Sequence, residues 1–194
     1  MKKILVTGFE PFGGEEINPS WEAVKSLPSK IKEYSLTKLQ LPVVFGEAAR
    51  MVLDTAERIC PDVILCIGQA GGRAEITPEL VAINIRHAQI PDNIGNQPED
   101  EPILEGAPAA YFSTIPVRKI AEVINAQGIA SKVSYSAGAY VCNDLLYTLL
   151  ARYAASATRV GFIHVPYSTD QGKTPSMELE KIIDALVIAI ENLK

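Results

Sequence analysis

Two histidines and three cysteines limit the nucleophilic and acid–base chemistry open to this 194-residue chain. His164 stands near the end of an apolar run, in Gly161-Phe162-Ile163-His164-Val165-Pro166-Tyr167. From spacing alone it reads equally as an acid–base group and as a core histidine with a satisfied hydrogen bond. His87 falls in a polar stretch and is expected to be solvated. Cys60 ends a helical segment before Pro61 and Cys66 sits inside an apolar strand, so both fit packing roles. Cys142 follows the small-residue turn Ser136-Ala137-Gly138-Ala139-Tyr140-Val141, where a helix is expected to begin. A thiol there feels the positive end of the helix dipole, which favours the thiolate. The same place offers free backbone N–H groups to an oxyanion. A packed structural cysteine is nevertheless the commoner occupant of such a position. A nucleophile needs a base, and the base needs an orienting group. Glu75, Glu79 and Asp92 are the candidate carboxylates, each otherwise a solvated surface acid.

Other chemistries find less support. The chain has no Cys-x-x-Cys and no His-Glu-x-x-His, so no metal site is expected. Gly8-Phe9-Glu10-Pro11-Phe12-Gly13-Gly14 is glycine-rich but lacks the Gly-Lys-Ser/Thr of a phosphate loop and the spacing of a dinucleotide fingerprint. Ser134-Tyr135-Ser136-Ala137-Gly138 matches a nucleophile elbow only loosely, because the first glycine is absent. The net charge is −5 with no basic run, which argues against nucleic acid as a partner. The N-terminal apolar run stops at Gly8, too short for a secretory signal, and no stretch approaches the ~18 apolar residues of a membrane span. Three cysteines are too few and too odd for a disulfide framework and point to a reducing compartment.

The elements that must position these residues alternate along the chain. Strands are expected at Ile4–Val6, Leu39–Val43, Val63–Ile67, Val81–Ile85, Lys132–Ser136 and Val160–Val165. Helices are expected from Asn18-Pro19, over Gly46–Ile59, Pro116–Gln127 and Val141–Tyr153, and from Thr174-Pro175 to the end. His87–Pro108 is rich in Pro, Asn, Asp and Gly and reads as a long functional loop. Several strands are apolar without alternation, which marks a sheet buried on both faces. The expected fold is one α/β domain over residues 1–194, a three-layer α/β/α sandwich around a largely parallel or mixed sheet. Sites in such sheets form beyond the carboxyl ends of strands. Here Gly8–Gly14, Gly68–Arg73, Ser136–Cys142 and His164–Tyr167 lie at those ends.

Six stretches, in order, resemble the pyroglutamyl peptidase I (pyrrolidone carboxyl peptidase) family nearly end to end. They are Thr7–Gly14, Asn18-Pro19-Ser20-Trp21, Gly68-Gln69-Ala70-Gly71-Gly72-Arg73, Ala82-Ile83-Asn84 with Ile90-Pro91-Asp92-Asn93, Ala137-Gly138 with Val141-Cys142-Asn143, and Gly161–Tyr167. The resemblance implies a cytosolic cysteine peptidase that removes an N-terminal pyroglutamyl residue from peptides, commonly a homotetramer, without metal or cofactor. It implies Cys142 as nucleophile, His164 as acid/base and Glu79 as the carboxylate. It maps an apolar substrate pocket onto Phe9 and Phe12, with Ile90, Tyr140 and Val141 nearby, and adds Asn18 and Gln69 as contacts for the lactam.

The chain departs from the family pattern in three places. Arginine is usual at Gln89, where it is linked to oxyanion stabilisation or substrate contact; aspartate is usual at His87 and phenylalanine at Tyr140. None of these touches the triad. Two readings of other classes stand beside the peptidase: a small-molecule binding module that cradles an anion in the Gly8–Gly14 loop, and a nucleoside-processing enzyme on a related sandwich. Only the peptidase requires a reactive thiol.

Overall fold

The computed structural model describes residues 1–194. In chain order the elements are β1 (Lys2–Phe9), α1 (Pro19–Ser26), β2 (Lys30–Ile31), β3 (Tyr34–Leu41), α2 (Glu47–Ile59), β4 (Val63–Gln69), β5 (Thr77–Pro78), β6 (Val81–Ile83) and β7 (Ala110–Phe112). There follow α3 (Val117–Ala126), α4 (Val141–Arg152), β8 (Arg159–Val165), β9 (Tyr167–Ser168), a 3-10 turn at Thr169–Gln171, β10 (Ser176–Met177) and α5 (Leu179–Glu191). The central sheet runs β2-β3-β1-β4-β8-β5. β3, β1, β4 and β8 are mutually parallel, and the short edge strands β2 and β5 are antiparallel. This is the expected α/β sandwich.

Strand pleating sorts the core into two halves, because successive side chains point to opposite faces. Ile4, Val6, Val63, Leu65, Ile67, Ile163 and Val165 pack with α1, α3 and α5. Leu5, Ile64, Cys66, Val160 and Phe162 pack with α2 and α4. Nearly all of these strand side chains are fully buried, so truncating one to alanine is expected to cost about 2–5 kcal/mol. β1, β4 and β8 are parallel, so their carboxyl ends, at Phe9, Gln69 and Val165, open on one rim of the sheet.

Four expected elements are corrected. Lys132–Ser136 forms no strand; it touches the 76–79 segment only through isolated parallel bridges, Ile76 to Ser131 and Glu79 to Ser134. Val81–Ile85 shortens to β6, which leaves the central sheet and pairs with β7, a strand absent from the sequence reading. The last helix begins at Leu179 rather than at Thr174-Pro175, because Ser176-Met177 pairs with β9 first. β1 continues through Gly8 and Phe9, into the expected loop. The segment between β6 and β7 carries only one bridge, Arg86 to Glu101, and is otherwise the long loop expected.

Candidate active site

Register places the histidine. His164 is the penultimate residue of β8 and pairs with Gly68 of β4, while Phe162 pairs with Cys66. His164 lies two residues beyond Phe162, so both point to the face covered by α4. Their rings pack tilted at 4.6 Å between centroids. On the other side of β8, Thr77 pairs with His164, and the Glu79 N–H donates to the Phe162 carbonyl at 2.9 Å. That pairing carries Glu79, which has no solvent exposure, against the imidazole. His164 Nδ1 lies 2.7 Å from Glu79 Oε1, and His164 Nε2 makes no hydrogen bond within the protein. A carboxylate at Nδ1 fixes the tautomer that leaves Nε2 free as an acid–base atom.

Cys142 is the second residue of α4. Its sulfur sits over Gly68, the register partner of His164. A Cβ built on Gly68 would meet the Phe162 ring at 2.6 Å and Cys142 Sγ at 3.0 Å, so only glycine admits this approach. The N–H groups of Asn143 and Asp144 bond to the Tyr140 carbonyl, whereas those of Val141 and Cys142 have no acceptor in the protein. Two free donors beside the sulfur are what an oxyanion needs.

Burial raises the Cys142 thiol well above the ordinary thiol range, the negative charge of Glu79 and the neighbouring Cys66 raise it further, and Arg73 opposes them. Cys66, fully buried, is pushed up to about 12 by the same desolvation, with the Thr7 hydroxyl opposing. Burial also works to raise Glu79. The hydrogen bond and charge of His164, then Ser134 and Arg73, outweigh it and hold the carboxyl below its usual value.

Of the three candidate carboxylates, only Glu79 touches His164. Glu75 pairs with Lys132 at 2.9 Å on the surface. Asp92 accepts from the Phe45, Ile94 and Asn96 backbone and from the Asn96 amide, folding the long loop. His87 is partly exposed and faces Asp100 at 3.0 Å. The sequence reading assigned no role to Arg73. Its Nη1 donates to Thr77 Oγ1 at 2.7 Å and to Glu79 Oε1 at 2.8 Å, and its Nη2 to the Ser136 carbonyl at 3.1 Å. It thus supplies a standing positive charge to buried Glu79 and pins the turn that leads into α4. Its only signal in the sequence is its place in the Gly68–Arg73 motif.

A small cavity of about 40 Å³ adjoins the sulfur, lined by Phe9, Phe12, Asn18, Val43, Gln69, Tyr140, Val141 and Cys142. Ile90 does not line it; it stands half-exposed in the next groove. Val43, just past β3, was missed. Asn18 caps α1: its Oδ1 accepts from the Ser20 N–H at 3.1 Å, and its Nδ2 donates to the Glu10 carbonyl at 2.9 Å. Ser20 Oγ in turn accepts the Phe9 N–H at 3.0 Å. α1 therefore buttresses the Phe9–Phe12 wall, and its terminus is closed by its own cap rather than open to an anion. The Tyr140 hydroxyl donates to the Pro91 carbonyl at 3.0 Å, and burial, with Asp92 and Cys142 nearby, pushes its pKa up to about 12. Gln69 Oε1 accepts from Gln171 at 3.0 Å. The walls are apolar with few polar groups, which suits a neutral ring.

Comparison with known proteins places the chain among relatives of one family and fold. The family model described as pyroglutamyl peptidase matches residues 2–194. The pyrrolidone-carboxylate peptidase of Thermococcus kodakarensis is 51% identical over 194 residues, covering 97% of this chain and 94% of the relative. That of Bacillus amyloliquefaciens is 47% identical, covering 97% and 90%. The crystal structure of pyroglutamyl peptidase I from Bacillus amyloliquefaciens superposes with a TM-score of 0.95 at 46% identity, covering 100% of this chain and 97% of the other. Pyrrolidone carboxyl peptidase from Thermococcus litoralis gives a TM-score of 0.95 at 41% identity, covering 100% and 93%.

Proposed function

The chain belongs to the pyroglutamyl peptidase family, and from that premise we propose that it is a cysteine peptidase hydrolysing the amide bond after an N-terminal pyroglutamyl residue. The contact that carries this reading is the 2.7 Å approach of His164 Nδ1 to Glu79 Oε1, at the strand position facing the sulfur of Cys142.

The lactam ring enters the cavity between Phe9, Phe12, Tyr140 and Val141, with Asn18 and Gln69 supplying polar contacts and Ile90 at its outer side. As Cys142 Sγ attacks the scissile carbonyl carbon, His164 Nε2 takes the thiol proton. The carbonyl electrons move onto oxygen, held by the Val141 and Cys142 N–H groups; each such donor is worth about 3 kcal/mol. Glu79 stabilises the imidazolium, and Arg73 keeps Glu79 ionised while the imidazole is neutral. The intermediate collapses to a thioester as the amine leaves with the proton from His164. Water then gives a proton to His164 and attacks the thioester, freeing pyroglutamate and restoring the thiol. These steps use side chains, backbone and water alone.

The unit of activity is one catalytic domain over residues 1–194, acting on pyroglutamyl peptides. The three free cysteines support a reducing cytoplasmic setting, and no helix is long and apolar enough to cross a membrane. The family resemblance supports a homotetramer, which sedimentation would test. The test of function is hydrolysis of pyroglutamyl-aminomethylcoumarin by wild type and Cys142→Ala. Wild type should turn over, and the variant should lose about 10³-fold or more while keeping its circular dichroism. An active Cys142→Ala would end the proposal.

A further inference from the structure

The cavity beside Cys142 Sγ is small, about 40 Å³. A substrate cleaved there carries at least one more residue, and that residue must lie outside these walls. Two depressions lie nearby. One, of about 510 Å³, is lined by Phe12, Ile83, Gln89, Ile90, Ala139 and Tyr140 among others. It shares Phe12 and Tyr140 with the lactam cavity and is the direct continuation of it. The other, of about 390 Å³, is lined by Arg73, Lys132 and neighbouring residues and shares no wall with the cavity.

We propose that the groove bounded by Phe12, Ile83, Ile90 and Tyr140 receives the residue that follows pyroglutamate, and that it selects an apolar side chain there. The inference rests on the peptidase reading and extends it to the leaving group.

The groove is built in register with the nucleophile. Asn143, next to Cys142, accepts the Ile83 N–H at 3.0 Å and donates to the Ile83 and Ile85 carbonyls at 2.8 and 3.0 Å. The Ala139 carbonyl accepts the His87 N–H at 2.9 Å. The Tyr140 hydroxyl holds the Pro91 carbonyl, beside Ile90. Both walls thus hang on α4 and the turn before it, the segment that fixes the sulfur. The groove also reaches Ser136, whose carbonyl Arg73 holds, and Arg73 in turn holds the carboxylate on His164. The groove therefore starts at the ring's wall and reaches the turn that Arg73 holds. Ile83 and Ile90 stand 39% and 46% exposed, leaving apolar surface for a substrate side chain to cover.

The test compares kcat/KM for pyroglutamyl-leucine amide, pyroglutamyl-lysine amide and pyroglutamyl-glycine amide on wild type, Ile83→Ser and Ile83→Asp. Wild type is expected to favour leucine over glycine by about tenfold or more. Ile83→Ser should reduce that ratio several-fold, and Ile83→Asp should in addition raise the lysine-to-leucine ratio. Turnover of all three substrates without preference, or ratios unmoved in both variants, overturns the inference and leaves the peptidase reading standing. Absence of turnover on every substrate removes both. A sedimentation change in Ile83→Asp with the ratios intact would assign this face to contact between copies and likewise overturn it.

Discussion

Arg73 donates from Nη1 to Glu79 Oε1 at 2.8 Å, and that same oxygen lies 2.7 Å from His164 Nδ1. One carboxylate oxygen thus joins a permanent cation to the group that must become a cation during the reaction. The other oxygen, Oε2, is buried without a partner. Without Arg73, Glu79 would hold an uncompensated buried charge whenever His164 is neutral, and such a group takes up a proton instead.

Replacing Arg73 should therefore do more than weaken the fold. Hydrogen bonds to charged groups are worth about 1.5–3 kcal/mol, so Arg73→Gln should lower kcat/KM about ten- to hundredfold. The titratable and charged groups facing Glu79 are Arg73, His164 and Cys142. Losing Arg73 raises the Glu79 carboxyl, so the acid limb of the pH–rate profile should move upward, and Arg73→Lys should restore part of it. A fall in rate with the limb in place would reduce Arg73 to a structural role.

The same shift governs acid stability. The Glu79 carboxyl is lower folded than unfolded, so its contribution is fully present above the unfolded value of about 4.3 and is lost as pH falls through the folded value. Arg73→Gln should therefore begin acid unfolding at a higher pH than wild type, read by denaturant midpoints across pH 3–6. Parallel curves would contradict the linkage.

Gly68→Ala tests the closeness of the sulfur to β4. Its methyl would sit 2.6 Å from the Phe162 ring and 3.0 Å from Cys142 Sγ. The ring or α4 must shift, at about 1–3 kcal/mol, and kcat should fall more steeply than stability. Unchanged kcat would mean that the sulfur does not react from this position.

Gln89, where the family resemblance leads to an expected arginine, lines the groove beside Phe12 and Tyr140. Gln89→Arg should raise kcat/KM by about tenfold, the worth of one charge-assisted hydrogen bond. No change would show that this chain does without that contact.

Much of this architecture is legible in the residues, for a physical reason. β4 and β8 are continuous apolar runs because both faces are buried, and α2 and α4 carry stripes at helical spacing. Local pattern fails where pairing is decided at a distance. Lys132–Ser136 has strand-like residues but meets only isolated bridges, and Ala110–Phe112 becomes a strand only because β6 leaves the main sheet. The site divides in the same way. Rarity and position single out Cys142 and His164 as candidates, but spacing alone leaves a packed role open for each. Spacing alone does not tell Glu79 from Glu75 or Asp92; the family resemblance names it, and pairing with β8 brings it to the ring. Arg73 and Val43 act through contacts that no spacing encodes.

The central claim is that one thiol, beside the His164–Glu79 pair, does the chemistry. Alkylation by iodoacetamide, with residual hydrolysis of pyroglutamyl-aminomethylcoumarin followed alongside mass mapping of Cys60, Cys66 and Cys142, tests it most directly. Activity should fall in step with labelling of Cys142, with 2-pyrrolidone slowing both. Full modification of Cys142 with activity intact would contradict the account.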